Sequence, residues 1–471
     1  MNRENAKKNA GDETNTDAIE LPMENQLPDL DLQNVRFVRL LWCDNANVIR
    51  GKAFHTDFLA EHQKHGIGIS MAQQAIPVMH DAVVPGSGLG PVGEAWLAPD
   101  WSTFNPLPYA PGHARVMGDL VKNGVSWALC PRGFLRRMIA AAAAEGLEIM
   151  AAFEHEFYLL QSNGLSTERD AEPIPVDHTV FASTLAMDLN QTVIDAIADA
   201  LIAQKIPVER YYPESGPGQH EIAIRYTHAL QAADWQIAFR ETVRGVALRH
   251  GLRASFLPKI FVDQAGSGCH LHLSLWRDGQ NLLPDVNKIG ELSPIAKAFV
   301  AGILHHLPAL MALTTPSPNS YRRLQPHFWS GAFRCWGVDN REAAVRVPSN
   351  PVPPSPTHFE LKTVDASANP YLALGTAIAA GLDGIRRRLD PGEPISVDPG
   401  TLPAAERQQR GIDRLPENLG EAIAHLQQDE VLLKALEPAL ARAFLAVRTA
   451  EWEAMKQFTL EEEVKLLLER Y

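Results

Sequence analysis

Cysteine is scarce in this 471-residue chain, which has four: Cys43, Cys130, Cys269 and Cys335, with no CxxC pair among them. In a chain of this length that excludes a disulfide framework and points to a reducing, cytoplasmic setting. An excess of basic charge is also missing. Lys and Arg total 43 against 56 Asp and Glu, a net charge of -13. That argues against nucleic acid or an anionic membrane surface as the main partner. Long apolar runs are absent too. The best stretch, residues 303–313, is interrupted by His305, His306 and Pro308, so no membrane span is expected. No apolar segment lies between a basic patch and a cleavage site near the start, so no signal peptide is expected. What is present is an ordinary globular balance, 45% hydrophobic and 21% charged. The chain is too long for one small core.

Residues 1–28 are polar, charged and free of aromatics, and read as a disordered leader. VRFVRLLW, DNAN and VIRGKAF then read as strand, turn and strand, followed by a helix-like stretch near 57–65. Residues 30–125 are taken as a small, mostly β domain. Residues 130–471 are taken as a second region in which strand and helix patterns alternate. It opens with CPRGFLRRMIAAAAAEGL, where the proline can start a helix and the alanine run continues it. NPYLALGTAIAAGLDGIRRRL and the segment from residue 417 onward are further clear helices.

The informative pattern is an alternation that recurs in four places. Residues two apart on a strand share a face. In MAAFEHEFYLL, Glu154 and Glu156 share a face opposite Phe153, Phe157 and Leu159. In CHLHLSLW, His270, His272 and Ser274 stand opposite Leu271, Leu273 and Leu275. In HFELKTV, Glu360 and Lys362 stand opposite Phe359 and Leu361, and in GQHEIAIRY Glu221 and Arg225 stand opposite Ile222 and Ile224. On one sheet, these polar faces converge. Crowded carboxylates raise one another's pKa, and a divalent cation relieves that repulsion. Oxygen donors with an occasional imidazole suit Mg²⁺ or Mn²⁺. Glu214 and Glu221 flank the turn SGPGQ, which can bring both to one ion. Taken singly, such a motif is usually a solvated sheet face, and Arg322, Arg323, Arg341 and Arg346 read as surface or ion-pair arginines. Together they are what phosphate and carboxylate groups require.

FEHEFYLL, ESGPGQHE, FLPK…GSGCHLHLS, NSYRRL, NREAAVRVP and ELKTVDASANPYLAL resemble, in order, the signature motifs of glutamine synthetases. The resemblance covers nearly all of the chain after the leader. It implies an α+β fold: an N-terminal β-grasp domain, then a catalytic domain with a curved antiparallel sheet flanked by helices. It also implies two divalent metal ions per site, Mg²⁺ or Mn²⁺, with ATP as co-substrate. Glu156, Glu214 and Glu221 match one metal position, and Glu154, His270 and Glu360 the other. His272 and Ser274 match nucleotide contacts. Arg341 and Arg346 match arginines on the transferring phosphoryl group, Arg346 also facing the nucleotide. Arg323 matches the arginine on the amino acid's α-carboxylate, and Gly266 lies in the loop contacting that substrate. The implied reaction phosphorylates the side-chain carboxylate of glutamate and lets an amine displace phosphate. The implied assembly is a homo-oligomer of stacked rings with active sites between subunits.

The sequence departs from the pattern where the family builds its ammonium site. Trp329, in QPHFWSG, stands where the family has a glutamate. AQQAIPVMHDAV replaces the small domain's aspartate loop, and Asp81 is the nearest carboxylate. Ala265 replaces an asparagine. Lys362 replaces an arginine and is taken with Arg341 and Arg346 as a catalytic candidate. No tyrosine near VDPGTLPA matches the site at which some members are nucleotidylated. The expectation is a γ-glutamyl–amine ligase using an organic amine, with cation–π contact to Trp329. The alternatives are an ordinary glutamine synthetase using ammonium and a non-catalytic ring scaffold.

Overall fold

The computed structural model describes residues 30–162, 172–352 and 355–471; the leader expected over residues 1–28 lies outside them. The first sheet contains β1 (Phe37–Cys43), β2 (Ile49–His55), β3 (Ile67–Ser70), β4 (Glu94–Pro106), β5 (His113–Lys122) and β6 (Val125–Ser126). Its order is β2-β1-β5-β4-β3, with β6 on the edge of β5. Alternation along β1 sends Val38, Leu40 and Trp42 into one core with Leu97, Val116 and Leu120. The DNAN segment makes the β1–β2 turn because the Asp44 carboxylate accepts the N–H groups of Ala46 and Val48 at 2.9 and 3.0 Å. The helix expected over 57–65 is shorter than its pattern: a 3₁₀ turn, Thr56–Phe58, followed by one turn, Leu59–His62.

The second sheet carries β7 (Glu148–Gln161), β8 (Val208–Pro213), β9 (Gln219–Ile224), β10 (Thr227–His228), β11 (Leu252–Ser255), β12 (Cys269–Arg277), β13 (Gln280–Asn281), β14 (Phe333–Val338), β15 (Ala343–Val347), β16 (Phe359–Leu361) and β17 (Asp413–Arg414). The order along it is β17-β14-β15-β16-β12-β7-β9-β8. The sheet is curved and antiparallel except for β14 and β15, which run parallel. Phe153, Phe157 and Leu159 of β7 enter the main core with Leu271, Leu273 and Leu275 of β12, while helices Thr184–Ala203, Ala229–Arg249 and Pro370–Arg387 cover that apolar side. The opposite, polar face is left to the site. The fold is therefore α+β, a β-grasp-type sheet followed by a helix-flanked antiparallel one.

The apolar stretch around residue 303 is longer than its sequence suggested. It is one 21-residue helix, Pro294–Thr314, that runs through Pro308, and its length and hydropathy are those of a membrane span. Its most apolar window is 78% buried inside the protein, so it is a core helix. His306, 4% exposed, projects from it to join two others. Its Nδ1 lies 2.6 Å from Asp429, which caps helix Glu430–Met455, and its Nε2 lies 3.0 Å from Asp383 of Pro370–Arg387. Burial pushes the His306 pKa down, but its bonds to Asp429 and Asp383 outweigh this and raise it. Burial pushes Asp383 up, and His306 with Arg387 brings it lower. His305 is the other ionisable group alongside.

The signs define a window. The imidazolium's contribution is complete below the unfolded histidine value and lost as pH rises through the folded one. The Asp383 contribution is present above the unfolded carboxyl value and lost as pH falls through the folded one. The clamp is thus strongest from about pH 4 to about pH 6.5. His306→Gln is expected to cost about 3 kcal/mol there and distinctly less at pH 9. Thermal unfolding at both pH values checks this, and equal losses would contradict it.

Candidate active site

Strand register brings the predicted polar residues together. Arg346 of β15 pairs with Glu360 of β16, and Glu360 pairs with His272 of β12. His270 pairs with Glu154 of β7, and Glu156 pairs with Glu221 of β9. Side chains at these positions face one surface. His270 Nδ1 lies 3.1 Å from Glu154 and 3.0 Å from Glu360, and one ligand atom from each of these three residues lies within 4.8 Å of the others. His270 Nε2 is 3.9 Å from Glu156, and His272 Nε2 is 3.1 Å from Glu154. Gly268 enables this. Its N–H donates to Glu156 at 2.8 Å, and a Cβ there would come within 2.5 Å of His270 Nε2.

Electrostatics divides the carboxylates into two groups. Burial pushes Glu360 up, but Lys362 at 3.0 Å and His270 hold it well below the usual carboxylate range. Burial likewise opposes Glu154, and its bonds to His270 and His272 hold it low. Glu214 and Glu221 are raised, first by burial and then by the neighbouring charges of Glu156 and Glu154 respectively. Tyr212 donates a 2.5 Å hydrogen bond to Glu221. Crowding therefore makes Glu214 and Glu221 resist ionisation unless a cation joins them, and carboxylate oxygens with the His270 imidazole are a donor set that fits a hard divalent cation. Among the described residues, the Glu154–His270–Glu360 trio closes to ligand spacing; Glu156, Glu214 and Glu221 adjoin it more loosely.

A cavity of about 540 Å³ opens beside this cluster, lined by Glu154, His272, Ser274, Trp276, Tyr226 and His358 among others. Tyr226 and Trp276 present nearly parallel rings, 6.3 Å apart at 24°. Trp276 Nε1 donates to Ser274 at 2.9 Å, which fixes the hydroxyl on the cavity wall. Aromatic faces with a few placed polar groups make a small-molecule pocket.

On the other side of the cluster Arg346 donates to Glu360 at 2.9 Å. Arg323 is 6% exposed; its Nη2 donates to the carbonyls of Lys362 and Val364 at 3.2 Å, and its Nε has no partner among the described residues. A buried guanidinium with a free donor suits a carboxylate. Gly266 packs directly on it, since a Cβ would meet Arg323 Cγ and the Pro258 carbonyl at 2.6 Å each. Arg322, adjacent in sequence, turns away and pairs with Glu463 at 2.8 Å.

The loop over residues 325–331 connects the Ser320–Arg323 turn to β14. Phe328 and Trp329 are 62% and 57% exposed. The Lys259 ammonium lies 5.8 Å from the Phe328 ring and the Arg341 guanidinium 5.6 Å from the Trp329 ring. The sequence offered the Trp329 ring to a substrate ammonium; in the structure a resident arginine shares it.

Comparison with known proteins identifies the family. Residues 128–467 match the glutamine synthetase catalytic domain and residues 25–127 the glutamine synthetase N-terminal domain. The chain belongs to the glutamine synthetase family. It is 34% identical over 455 residues to a type-1 glutamine synthetase of Dictyostelium discoideum, covering 93% of this chain and 90% of that protein. It is 38% identical over 424 residues to the gamma-glutamylpolyamine synthetase GlnA3 of Streptomyces coelicolor, covering 89% and 90%. Among solved structures, a novel glutamine synthase homolog superposes with a TM-score of 0.81 at 33% identity, covering 93% of this chain and 99% of that one. A GmaS/ADP complex superposes with a TM-score of 0.80 at 30% identity, covering 93% and 97%. This glutamine synthetase-family protein is a carbon–nitrogen ligase, and the family normally uses ATP and divalent metal ions.

Some features of this family member escaped the sequence. His155, between the two glutamates, faces the core, where it stacks on Phe239 at 3.9 Å, and burial pushes its pKa down to about 3. Alternation alone predicts that orientation. Tyr212 could also have been found, because β8 is the neighbour of β9 and sets Tyr212 opposite Glu221. Arg225, placed on the polar face by its parity, lies beyond β9 and pairs with Glu209 at 3.5 Å, away from the cluster. Glu342, 5% exposed, had no local signal. The replaced aspartate loop is also built differently from an open acidic turn. Met71–Ala75 forms a 3₁₀ turn, and the N–H of Val78 donates at 2.7 Å to Glu451, a buried carboxyl on helix Glu430–Met455.

Proposed function

We propose that this protein is an ATP-dependent γ-glutamyl–amine ligase whose acceptor is an organic primary amine. The observation that carries the proposal is the 325–331 loop, in which Phe328 and Trp329 are exposed and Trp329 stands where the resemblance expects the family's ammonium-site glutamate. Aromatic rings shelter the carbon chain of an organic amine, a contact that ammonium, having no carbon, cannot make. Similarity to a gamma-glutamylpolyamine synthetase supports the same reading. Similarity at 34% to a type-1 glutamine synthetase favours ammonium as the second reading.

In this mechanism the glutamate α-carboxylate binds Arg323 beside Gly266, and ATP lies in the cavity against His272 and Ser274. The γ-carboxylate oxygen attacks the γ-phosphorus and ADP leaves, giving an acyl phosphate. The neutral amine then attacks the acyl carbon, the C–O bond to phosphate breaks, and the amine gives up a proton as the amide forms. Arg341, Arg346 and Lys362 neutralise charge on the migrating phosphoryl group. Glu154, His270 and Glu360 would hold one divalent ion, Mg²⁺ or Mn²⁺, and Glu156, Glu214 and Glu221 the second; such ions supply charge neutralisation across the phosphates. The Phe328 and Trp329 rings keep water from the acyl phosphate. A ring homo-oligomer, with sites between subunits, completes the proposal, and four buried free cysteines suit a cytoplasmic enzyme.

Amine competition tests it. Purified protein with ATP, Mg²⁺, glutamate and a panel of ammonium, methylamine, ethanolamine and putrescine is followed by phosphate release and product mass. An organic amine is expected to exceed ammonium in kcat/KM by at least about tenfold. Glutamine as the main product overturns the proposal.

A further inference from the structure

We infer that Glu342 is the positioning residue of the acceptor site: its buried carboxylate holds the 325–331 loop in the shape that presents Phe328 and Trp329. The inference rests on the organic-amine reading above. The loop contains two strained residues. His327 and Trp329 have φ of 66° and 54°, the left-handed region that non-glycine side chains seldom adopt. Such a conformation persists only where the surroundings over-determine it. Here one group supplies that constraint to both residues. Glu342 Oε1 accepts the Trp329 N–H at 2.8 Å, and Oε2 accepts the His327 N–H at 3.2 Å.

Glu342 is itself fixed from behind. Its N–H donates to Asn340 Oδ1 at 3.0 Å, and Asn340 Nδ2 donates to the carbonyls of Ile395 and Val397 at 2.8 and 3.0 Å. Both strained amides are therefore tied through one carboxylate to the turn between β14 and β15, while the His327 ring is held separately by Asp398, 2.7 Å from its Nδ1. Arg341, the preceding residue, lies against the Trp329 ring. Neighbouring residues of one turn thus hold the loop twice, by its ring and by its amides. A loop with exposed aromatic rings and no such anchor would populate several shapes, and an acceptor would bind only to the competent fraction.

The test measures KM for the preferred organic amine, glutamate and ATP in wild type, Glu342→Gln and Glu342→Ala. Glutamine keeps one acceptor oxygen and alanine keeps none. Glu342→Ala is expected to raise the amine KM about tenfold or more, with the glutamate and ATP values within about twofold. Glu342→Gln is expected to recover part of the loss. In a Trp329→Ala background, Glu342→Ala is expected to add little to the amine KM. If Glu342→Ala does not fold, Glu342→Gln carries the test: alone it is expected to raise the amine KM, and in the Trp329→Ala background to add little. An unmoved amine KM overturns the inference, as does a rise in all three KM values together. A wild type that prefers ammonium removes the organic-amine reading and this inference with it. A wild type that prefers an organic amine, with unaffected variants, removes this inference alone.

Discussion

Glu360→Gln is expected to lower amide formation by about a thousandfold or more while the chain still folds. Glu360 is 1% exposed and carries three separate bonds. Oε1 lies 3.0 Å from both Lys362 Nζ and His270 Nδ1, and Oε2 accepts Arg346 at 2.9 Å. Three basic groups therefore share one carboxylate. Glutamine has the same shape but no charge, and its amide nitrogen would direct a donor at one of those bases. Arg346 and Lys362 then lose their shared anchor, which the proposed mechanism uses to aim them at the transferring phosphoryl group, and the Glu154–His270 pair loses the third member of its ligand set. The readouts are phosphate release with ATP, Mg²⁺, glutamate and amine, and thermal stabilisation by ATP with Mg²⁺, which binding to the native state produces. Both are expected to fall away. A variant that keeps more than about a tenth of wild-type turnover would exclude Glu360 from the reacting centre.

The reach of sequence reasoning follows the same physics. Period-two alternation set Glu154 with Glu156, and Glu360 with Lys362, on polar faces, because pleating fixes side-chain direction within one strand. Which strands adjoin was not legible from alternation. It took the ordered motifs to assign Glu360, some 90 residues beyond His270, to the same cluster. Glu342 was out of reach altogether. Its partners are backbone amides 13 and 15 residues earlier in a loop of unusual φ, and neither periodicity nor composition reports on that. The Pro294–Thr314 helix was undervalued because Pro308 and two histidines read as interruptions. Tertiary burial outweighs the cost of a helical proline here, and His306 is buried with two carboxylates as partners. The short helix at Leu59–His62 is the opposite case, a helix-like pattern that tertiary packing did not extend.

Arg132→Met is expected to be the most destabilising single substitution in the chain's framework, at about 4 kcal/mol or more. Arg132 opens helix Pro131–Ala144 with its side chain 3% exposed. Its guanidinium reaches three acids at once: Asp119 at 2.8 Å, Asp234 at 2.9 Å and Asp100 at 2.7 Å. Asp100 and Asp119 belong to the small sheet and Asp234 to the Ala229–Arg249 helix, so this one side chain ties the two layers together. Tyr371 donates to Asp234 at 2.7 Å and extends the network to a third helix. Removing the cation leaves these carboxylates buried, with Arg136 reaching only Asp100 and Asp119. Burial opposes ionisation of Asp100, and Arg132 is the main influence that brings its pKa lower. Its share of stability is therefore present above the unfolded carboxyl value and lost as pH falls through the folded one. The gap between wild type and variant should consequently narrow as the solution is acidified. Arg132→Lys keeps the charge but cannot fork to three acids, and should lose roughly half as much. Denaturant unfolding at pH 7 and at about pH 2.5, below the usual carboxyl range, distinguishes these outcomes. A methionine variant as stable as wild type at pH 7 would mean that desolvation already cancels the network, leaving apolar packing to hold the small sheet in place.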